Sequence, residues 1–179
     1  MQVIYVRHGE TAWNEAHLLQ GWSDIPLNDA GILQAEKTRG LLSDIPFDRI
    51  VTSPLLRAKQ TAEIIGEGRD VPLIVDERLK ERGFGDLEGH PFSQDDFNSW
   101  WKKSFDFAAC GMEPVDSLLG RVRSLIDELY EQNPDETVLF VAHGGTFVGV
   151  DSYFNGYPAD DETLRFIPNC TVRRFHKEK

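Results

Sequence analysis

Apolar residues recur along this chain with two periods, and the change between them marks out the secondary structure. Gln2–Val6 is a short apolar run that ends abruptly at Arg7-His8-Gly9, which predicts a buried strand opening onto a polar loop. Asp48–Thr52 and Val71–Val75 predict two further strands. Thr137–Ala142 predicts a fourth, the most apolar, and Thr171–Phe175 the last. Between them the period lengthens. Asn28 can cap a helix starting at Asp29, with Ile32, Ala35 and Leu42 on its apolar side. Ser53 is a candidate N-cap with Pro54 at the first helical position, for a helix running through Arg57, Ala58, Thr61, Ala62 and Ile65 to Gly66 or Gly68. Leu118, Val122, Leu125, Ile126 and Leu129 form one face of a long helix over Val115–Gln132, which Asn133-Pro134 stops. Phe97, Trp100, Trp101 and Phe105 fall at roughly helical spacing within the aromatic segment Phe92–Phe107.

Strands alternating with helices predict an α/β fold, a three-layer α/β/α sandwich around a mostly parallel sheet. No repeat, low-complexity tract or linker interrupts residues 1–179, which are read as one domain with a sizeable core. No window approaches the roughly 18 apolar residues of a membrane span. The N-terminus lacks the basic start and longer apolar stretch of a signal peptide, so the expected location is cytoplasmic, with no membrane partner.

Charge narrows the candidate partners. A net charge of −11 argues against a nucleic-acid partner, which needs a basic footprint. It also repels anionic substrates at long range, so a phosphate-ester substrate would require a local arginine cluster. Cys110 and Cys170 form no CxxC pattern and support neither a zinc site nor a disulfide framework. They are read as reduced thiols.

Ligand sites of open α/β sheets form beyond the carboxyl ends of the strands. Arg7-His8 follows the first predicted strand, Arg57 the second and His143 the fourth. A histidine so placed can hold one ring nitrogen against a backbone carbonyl and present the other to phosphorus as a nucleophile. It can equally be an ordinary hydrogen-bonded residue. Arg57 lies about one turn into a helix whose N-terminus favours anions, and its fork suits phosphate oxygens; a surface pair with Glu63 fits the same pattern. His143-Gly144-Gly145-Thr146 offers backbone N–H groups that can cradle an anion, and a protonated His143 can add charge. A glycine-rich turn with a structural histidine reads the same way. An alkoxide leaving group needs a proton, which a carboxyl beside a phosphate can supply. Glu81 is a candidate, and local sequence does not choose it over Glu77 or Glu88.

Taken in order, these blocks resemble the histidine phosphatase superfamily. Arg7-His8-Gly9-Glu10-Thr11 with Trp13-Asn14, then Gln20-Gly21-Trp22 and Leu27–Gly31, is similar to the family's opening. Ser53-Pro54 through Arg57-Ala58 to Gln60-Thr61-Ala62 resembles the second block. Leu79, Glu81, Phe84-Gly85 and Glu88-Gly89 resemble the third, and Ala142-His143-Gly144-Gly145 the fourth. Asn169-Cys170-Thr171 before a final strand also fits, and the blocks span nearly the whole chain. The resemblance implies a phosphoglycerate mutase-like fold and phosphatase chemistry on a small phosphorylated metabolite. His8 would be the phosphorylated nucleophile. Arg7, Arg57 and His143 would form the phosphate pocket, with Gly144 among its backbone donors. Glu81 would be the general acid and then the base. Asn14 would lie near the phosphate, and Gln20 and Gly21 would line the entrance. No metal or other cofactor is implied, and the oligomeric state is left open.

The superfamily also holds cofactor-dependent phosphoglycerate mutases. These are longer, with an arginine-bearing insertion and a C-terminal tail over the site. They typically carry Tyr where Phe84 stands and His-Gly-Asn-Ser where this chain has His143-Gly144-Gly145-Thr146. Here Lys102 and Lys103 but no arginine lie between Phe92 and Val115, and few residues follow the last predicted strand before Lys179. A phosphatase is therefore expected, with a mutase or a non-catalytic phosphate-binding or regulatory member as alternatives. Alpha-ribazole phosphatases are similar in size and motif style. The aromatic segment is either a lid over the substrate pocket or packed core.

Overall fold

Strand β1 (Gln2–Arg7) buries residues 3–6 completely, as a continuous apolar run between two helical layers must. The computed structural model describes residues 1–102, 104–158, 164 and 166–177. Lys103 and Lys179 lie outside the described residues. After β1 the chain forms α1 (Ala12–Glu15), α2 (Asp29–Leu41), β2 (Arg49–Thr52), α3 (Leu56–Gly66) and β3 (Leu73–Val75). It continues through α4 (Gln94–Trp100), α5 (Val115–Gln132), β4 (Thr137–Ala142), α6 (Gly144–Asn155) and β5 (Val172–His176). The sheet order is β3-β2-β4-β1-β5. Strands β1 to β4 pair parallel and β5 antiparallel against β1.

Successive strand residues face opposite layers, and the core divides accordingly. Ile4, Val6, Ile50, Leu139 and Val141 pack with Leu42, Ala62 and Ile65 from the α2–α3 side. Val3, Tyr5, Val138, Phe140 and Ala142 pack with Leu118, Val122, Leu125, Ile126 and Val148 from the α5–α6 side. The result is the expected three-layer α/β/α sandwich with a mostly parallel sheet. The apolar face of α5 is the one the spacing predicts, and all five of its residues are buried.

Three local expectations differ from the structure. Ile32 is exposed, whereas Gly31, Ala35 and Thr38 form the buried side of α2. The cause is close backbone approach: a Cβ at Gly31 would lie 2.1 Å from the Glu10 carbonyl oxygen, so small residues set that face. Helix α3 starts at Leu56, and Ser53 is not its cap. The Leu56 N–H instead donates to Asp24 Oδ1 at 2.6 Å, a cap supplied by another loop. The aromatic segment yields only the seven residues of α4, with Phe105 beyond it and a separate turn at Phe107–Cys110.

The sheet register is what assembles the site. Arg7 pairs with Ala142, so the next residues on each strand, His8 and His143, emerge side by side. The His8 N–H donates to the Ala142 carbonyl at 2.8 Å, closing the last rung of the ladder.

Candidate active site

His8 is 2% exposed and lines a cleft of about 290 Å³ at the carboxyl edge of the sheet. Its Nδ1 lies 2.7 Å from the Gly9 carbonyl oxygen. A carbonyl only accepts, so Nδ1 carries the proton and Nε2 keeps a free lone pair. Burial, followed by the charges of Arg57 and Arg7, holds the His8 pKa well below the ordinary 6.5, against a smaller upward pull from the Gly9 bond. His8 is therefore neutral at neutral pH. Gly9 is required by space, since a Cβ there would meet the Gly31 oxygen at 2.5 Å.

Arg57 is wholly buried. Its Nη1 donates to the Ser23 carbonyl and its Nη2 to the Gly21 carbonyl, both at 2.8 Å. Arg7 Nη1 donates to the Ile167 carbonyl at 2.7 Å. The Nε atoms of both arginines are buried without a partner among the described residues. Burial pulls the Arg57 pKa down to about 10, against the upward pull of Glu81 and Asp24; the guanidinium still carries its charge at neutral pH.

The His143 ring centroid lies 5.1 Å from that of His8. Its Nε2 is 2.7 Å from Ser53 Oγ, and its Nδ1 has no partner among the described residues. Tyr5 braces this corner by donating from its hydroxyl to the His143 carbonyl at 2.6 Å. Burial first, then Arg57, His8, Arg121 and Arg7, holds the His143 pKa well below 6.5. In the free protein His143 is neutral, because two guanidinium groups already occupy the same desolvated corner.

Glu81 lines the cleft. Its Oε1 accepts from the Arg82 N–H at 2.7 Å and from the Gly145 N–H at 3.0 Å. The first turn of α6 therefore gives its Gly145 donor to a carboxylate of the protein itself. Gly144 faces the cleft. The other two carboxylates lie outside the cleft lining. Glu88 accepts four hydrogen bonds, from the Trp22, Ser23 and Phe84 N–H groups and the Ser23 hydroxyl. Glu77 opens the single turn Glu77–Leu79.

Asn14, Gln20 and Gly21 also reach the cleft. Asn14 Oδ1 accepts from the Thr11 N–H at 3.2 Å in a capping box that opens α1. Gln20 Oε1 accepts from the Thr11 hydroxyl at 3.0 Å. All nine expected residues thus converge, with His143 behind His8 and the other eight at the surface of the cleft. Ser53, Asn169 and Trp22 were read for other reasons. Asn169 Nδ2 donates to the His8 carbonyl at 2.8 Å, and the Trp22 indole to the Glu81 carbonyl at 2.7 Å. No periodicity marks such long-range bonds.

Apolar side chains also line the cleft, among them Leu18, Phe84, Phe92, Phe97, Trp101 and Phe166. Phe166 holds Phe97 and Trp101 at centroid distances of 4.8 and 5.4 Å. Trp100 is buried beneath, 6.1 Å from the Phe84 ring. The aromatic segment thus contributes Trp100 and Trp101 to the core, and Phe92, Phe97 and Trp101 to the cleft lining. Among the described residues, no group of three or more His, Cys, Asp and Glu side chains could hold a metal ion, and no helix is long and apolar enough to cross a membrane.

A parallel sheet that brings two arginines and two imidazoles to its carboxyl edge is the architecture of a phosphate-handling enzyme. The chain belongs to the histidine phosphatase superfamily (branch 1), whose family model matches residues 3–179. It is 37% identical over 178 residues to the uncharacterized phosphatase PhoE of Bacillus subtilis, covering 99% of this chain and 90% of that protein. It is 33% identical to a probable phosphoglycerate mutase, GpmB, of Yersinia pestis, covering 97% of this chain and 84% of that one. The mycobacterial glucosyl-3-phosphoglycerate phosphatase, solved with VO3, superposes with a TM-score of 0.86 at 28% identity, covering 97% of this chain and 91% of that one.

The neutral histidines predict a pH dependence of stability. Unfolded, each imidazole returns to a pKa near 6.5; folded, both lie well below it. Below about pH 6.5 the unfolded chain binds protons that the folded protein does not, so stability falls as pH drops. His143→Gln should remove up to one proton from this difference, flattening the decline by up to ~1.4 kcal/mol per pH unit below pH 6.5. Urea unfolding between pH 7 and pH 5 measures it. Identical slopes in both proteins would mean that His143 is protonated in the fold.

Proposed function

We propose that this protein is a metal-independent phosphomonoester hydrolase that works through a phosphohistidine on a small phosphorylated metabolite. The observation that carries this reading is one cleft lined by His8, whose Nδ1–Gly9 bond leaves Nε2 its lone pair, and by Arg7 and Arg57, whose Nε atoms, like Nδ1 of the neighbouring His143, are buried without a partner among the described residues. A phosphoryl dianion supplies acceptors for all three. It also restores the reason for His143 to take a proton, since its negative charge outweighs the repulsion of the arginines. His8 Nε2 attacks phosphorus and the bond to the leaving oxygen breaks. Glu81 gives that oxygen its proton. Glu81 then takes a proton from water, whose oxygen displaces His8 and releases inorganic phosphate. The arginines and His143 stabilise the equatorial oxygens in both steps, supplying the charge that a metal brings elsewhere. Asn14 stands beside the phosphoryl position, and Gln20 and Gly21 at the entrance.

Two features favour hydrolysis over transfer between sugars or glycerates. Among the described residues, the basic side chains lining the cleft are Arg7 and Arg57 alone, enough for one phosphate and not for a retained bisphosphate. Much of the remaining lining is aromatic, which suits an uncharged, apolar alcohol portion of the ester. The presence of nucleophile, acid and both arginines in one cleft supports turnover over a non-catalytic binding role. One domain and a cytoplasmic location complete the reading.

Acid–base behaviour of the trapped enzyme tests the covalent step. Rapid denaturation during turnover of p-nitrophenyl phosphate should leave a base-stable, acid-labile phosphoenzyme in the wild type and none in His8→Ala, whose turnover should fall at least about 10³-fold. Near-wild-type turnover in His8→Ala would falsify this step.

Substrate class is tested with two primary-alcohol esters, so that leaving-group acidity does not differ. 2-Phenylethyl phosphate should exceed glycerol 3-phosphate in kcat/KM by about tenfold or more, the worth of ~1.4 kcal/mol of aromatic burial. Phe97→Ala should narrow the ratio. Equal rates in the wild type would rule out an apolar pocket as the source of specificity.

A further inference from the structure

We propose that Glu88 is a positioning residue for Arg57, acting through the backbone of residues 21–23. This rests on the reading of Arg57 as a phosphate-gripping residue. The guanidinium of Arg57 is held by two carbonyls, those of Gly21 and Ser23, each at 2.8 Å. The Gly21 carbonyl can point at Arg57 only if the Trp22 N–H of the same planar peptide points away, and the Ser23 N–H anchors the residue whose own carbonyl completes the pair. The structure gives both N–H groups to one carboxylate: Trp22 N–H to Glu88 Oε1 at 2.9 Å and Ser23 N–H to Glu88 Oε2 at 2.8 Å.

Each oxygen has a second donor. Oε1 accepts from the Phe84 N–H at 3.1 Å and Oε2 from the Ser23 hydroxyl at 2.8 Å. Glu88 therefore joins the Arg57-holding loop to the segment that follows Glu81. The fit is close. Gly21 has φ +51°, and a Cβ there would lie 2.0 Å from Glu88 Oε1. The far end of the loop is tied down as well, because Asp24 Oδ1 accepts from the Leu56 N–H, one residue before Arg57. The loop is thus anchored to α3 and to Glu88, and the two carbonyls between these anchors aim the guanidinium.

This arrangement separates Glu88 from a merely stabilising residue. In Glu88→Gln the amide nitrogen faces at least one backbone donor, since only the Ser23 hydroxyl can turn to accept, so at least one hydrogen bond is lost and N–H meets N–H. The loop carbonyls turn, and the loss is felt only where Arg57 does its work. Coupling between the two positions is the readout.

The variants Glu88→Gln, Arg57→Ala and the pair are compared by kcat/KM for p-nitrophenyl phosphate and by the inhibition constant of inorganic phosphate. In the wild-type background Glu88→Gln should lower kcat/KM about tenfold and weaken phosphate binding by a similar factor. In the Arg57→Ala background it should change either quantity by less than about twofold. The same loss in both backgrounds, or no loss in the wild type, would overturn the proposal. If Glu88→Gln does not fold, Ser23→Ala decides, since it removes only the hydroxyl donor. About a threefold loss in the wild type and none in Arg57→Ala is expected, and equal effects, or none in the wild type, would contradict it. Wild-type turnover in Arg57→Ala alone would instead sink the phosphate-site reading on which the proposal rests.

Discussion

Burying guanidinium groups beside imidazoles costs free energy, and the molecule is arranged around that cost. Arg57 is fully withdrawn from water in a chain of net charge −11. Distant acidic residues are screened within about a Debye length and cannot compensate. Compensation is local: two carbonyls on Arg57, one on Arg7, and the Glu81 carboxylate facing both. The same desolvation explains why the neighbouring histidines are neutral. A third or fourth positive charge in that corner has no partner until an anion enters. The cleft is thereby selective for a ligand that brings negative charge with it, and the acidic exterior does not cancel this local field.

The fold delivers these groups through register rather than through any single motif. Parallel pairing of β1 with β4 sets His8 beside His143, and β2 leads into α3, which carries Arg57. The α5–α6 layer closes on one side of the sheet. There Gly149 lets α6 approach α5 so closely that a Cβ would meet Val122 Cγ2 at 2.9 Å. That packing fixes the start of α6, where Gly145 holds Glu81. His8 with Arg7, Arg57, Glu81 and His143 thus come from separate elements whose relative positions are set by core packing. A site built on packed elements of this kind keeps its geometry through the rigidity of the core.

How much of this was legible in sequence varies with the range of the interaction. Strands β1 and β4 are continuous apolar runs, and α5 has an unbroken five-residue face, so local pattern located them. His8, Arg57 and His143 stood at strand ends, where α/β sheets place ligands, and family resemblance joined them. Local pattern could not choose among Glu77, Glu81 and Glu88, because all three lie in one polar stretch without periodicity, and only the family resemblance pointed to Glu81. Only the tertiary placement shows Glu81 in the cleft and Glu88 spent on backbone donors. Ser53 looked like a helix cap because its local signature matched one; a bond to His143, ninety residues away, claimed its hydroxyl instead. Ile32 fitted the helical spacing of α2, but Gly31 against Glu10 turned that helix by its closest contact.

The central claim is that phosphate passes from ester to His8 and then to water. Each transfer inverts configuration at phosphorus, so two transfers restore it. The direct measurement is the stereochemical course of hydrolysis of a phosphorothioate monoester made chiral at phosphorus by sulfur and two oxygen isotopes, carried out in water of the third isotope so that the thiophosphate released is itself chiral. The account predicts overall retention. Overall inversion would mean that water attacks the ester in a single step and that His8 never carries the phosphoryl group.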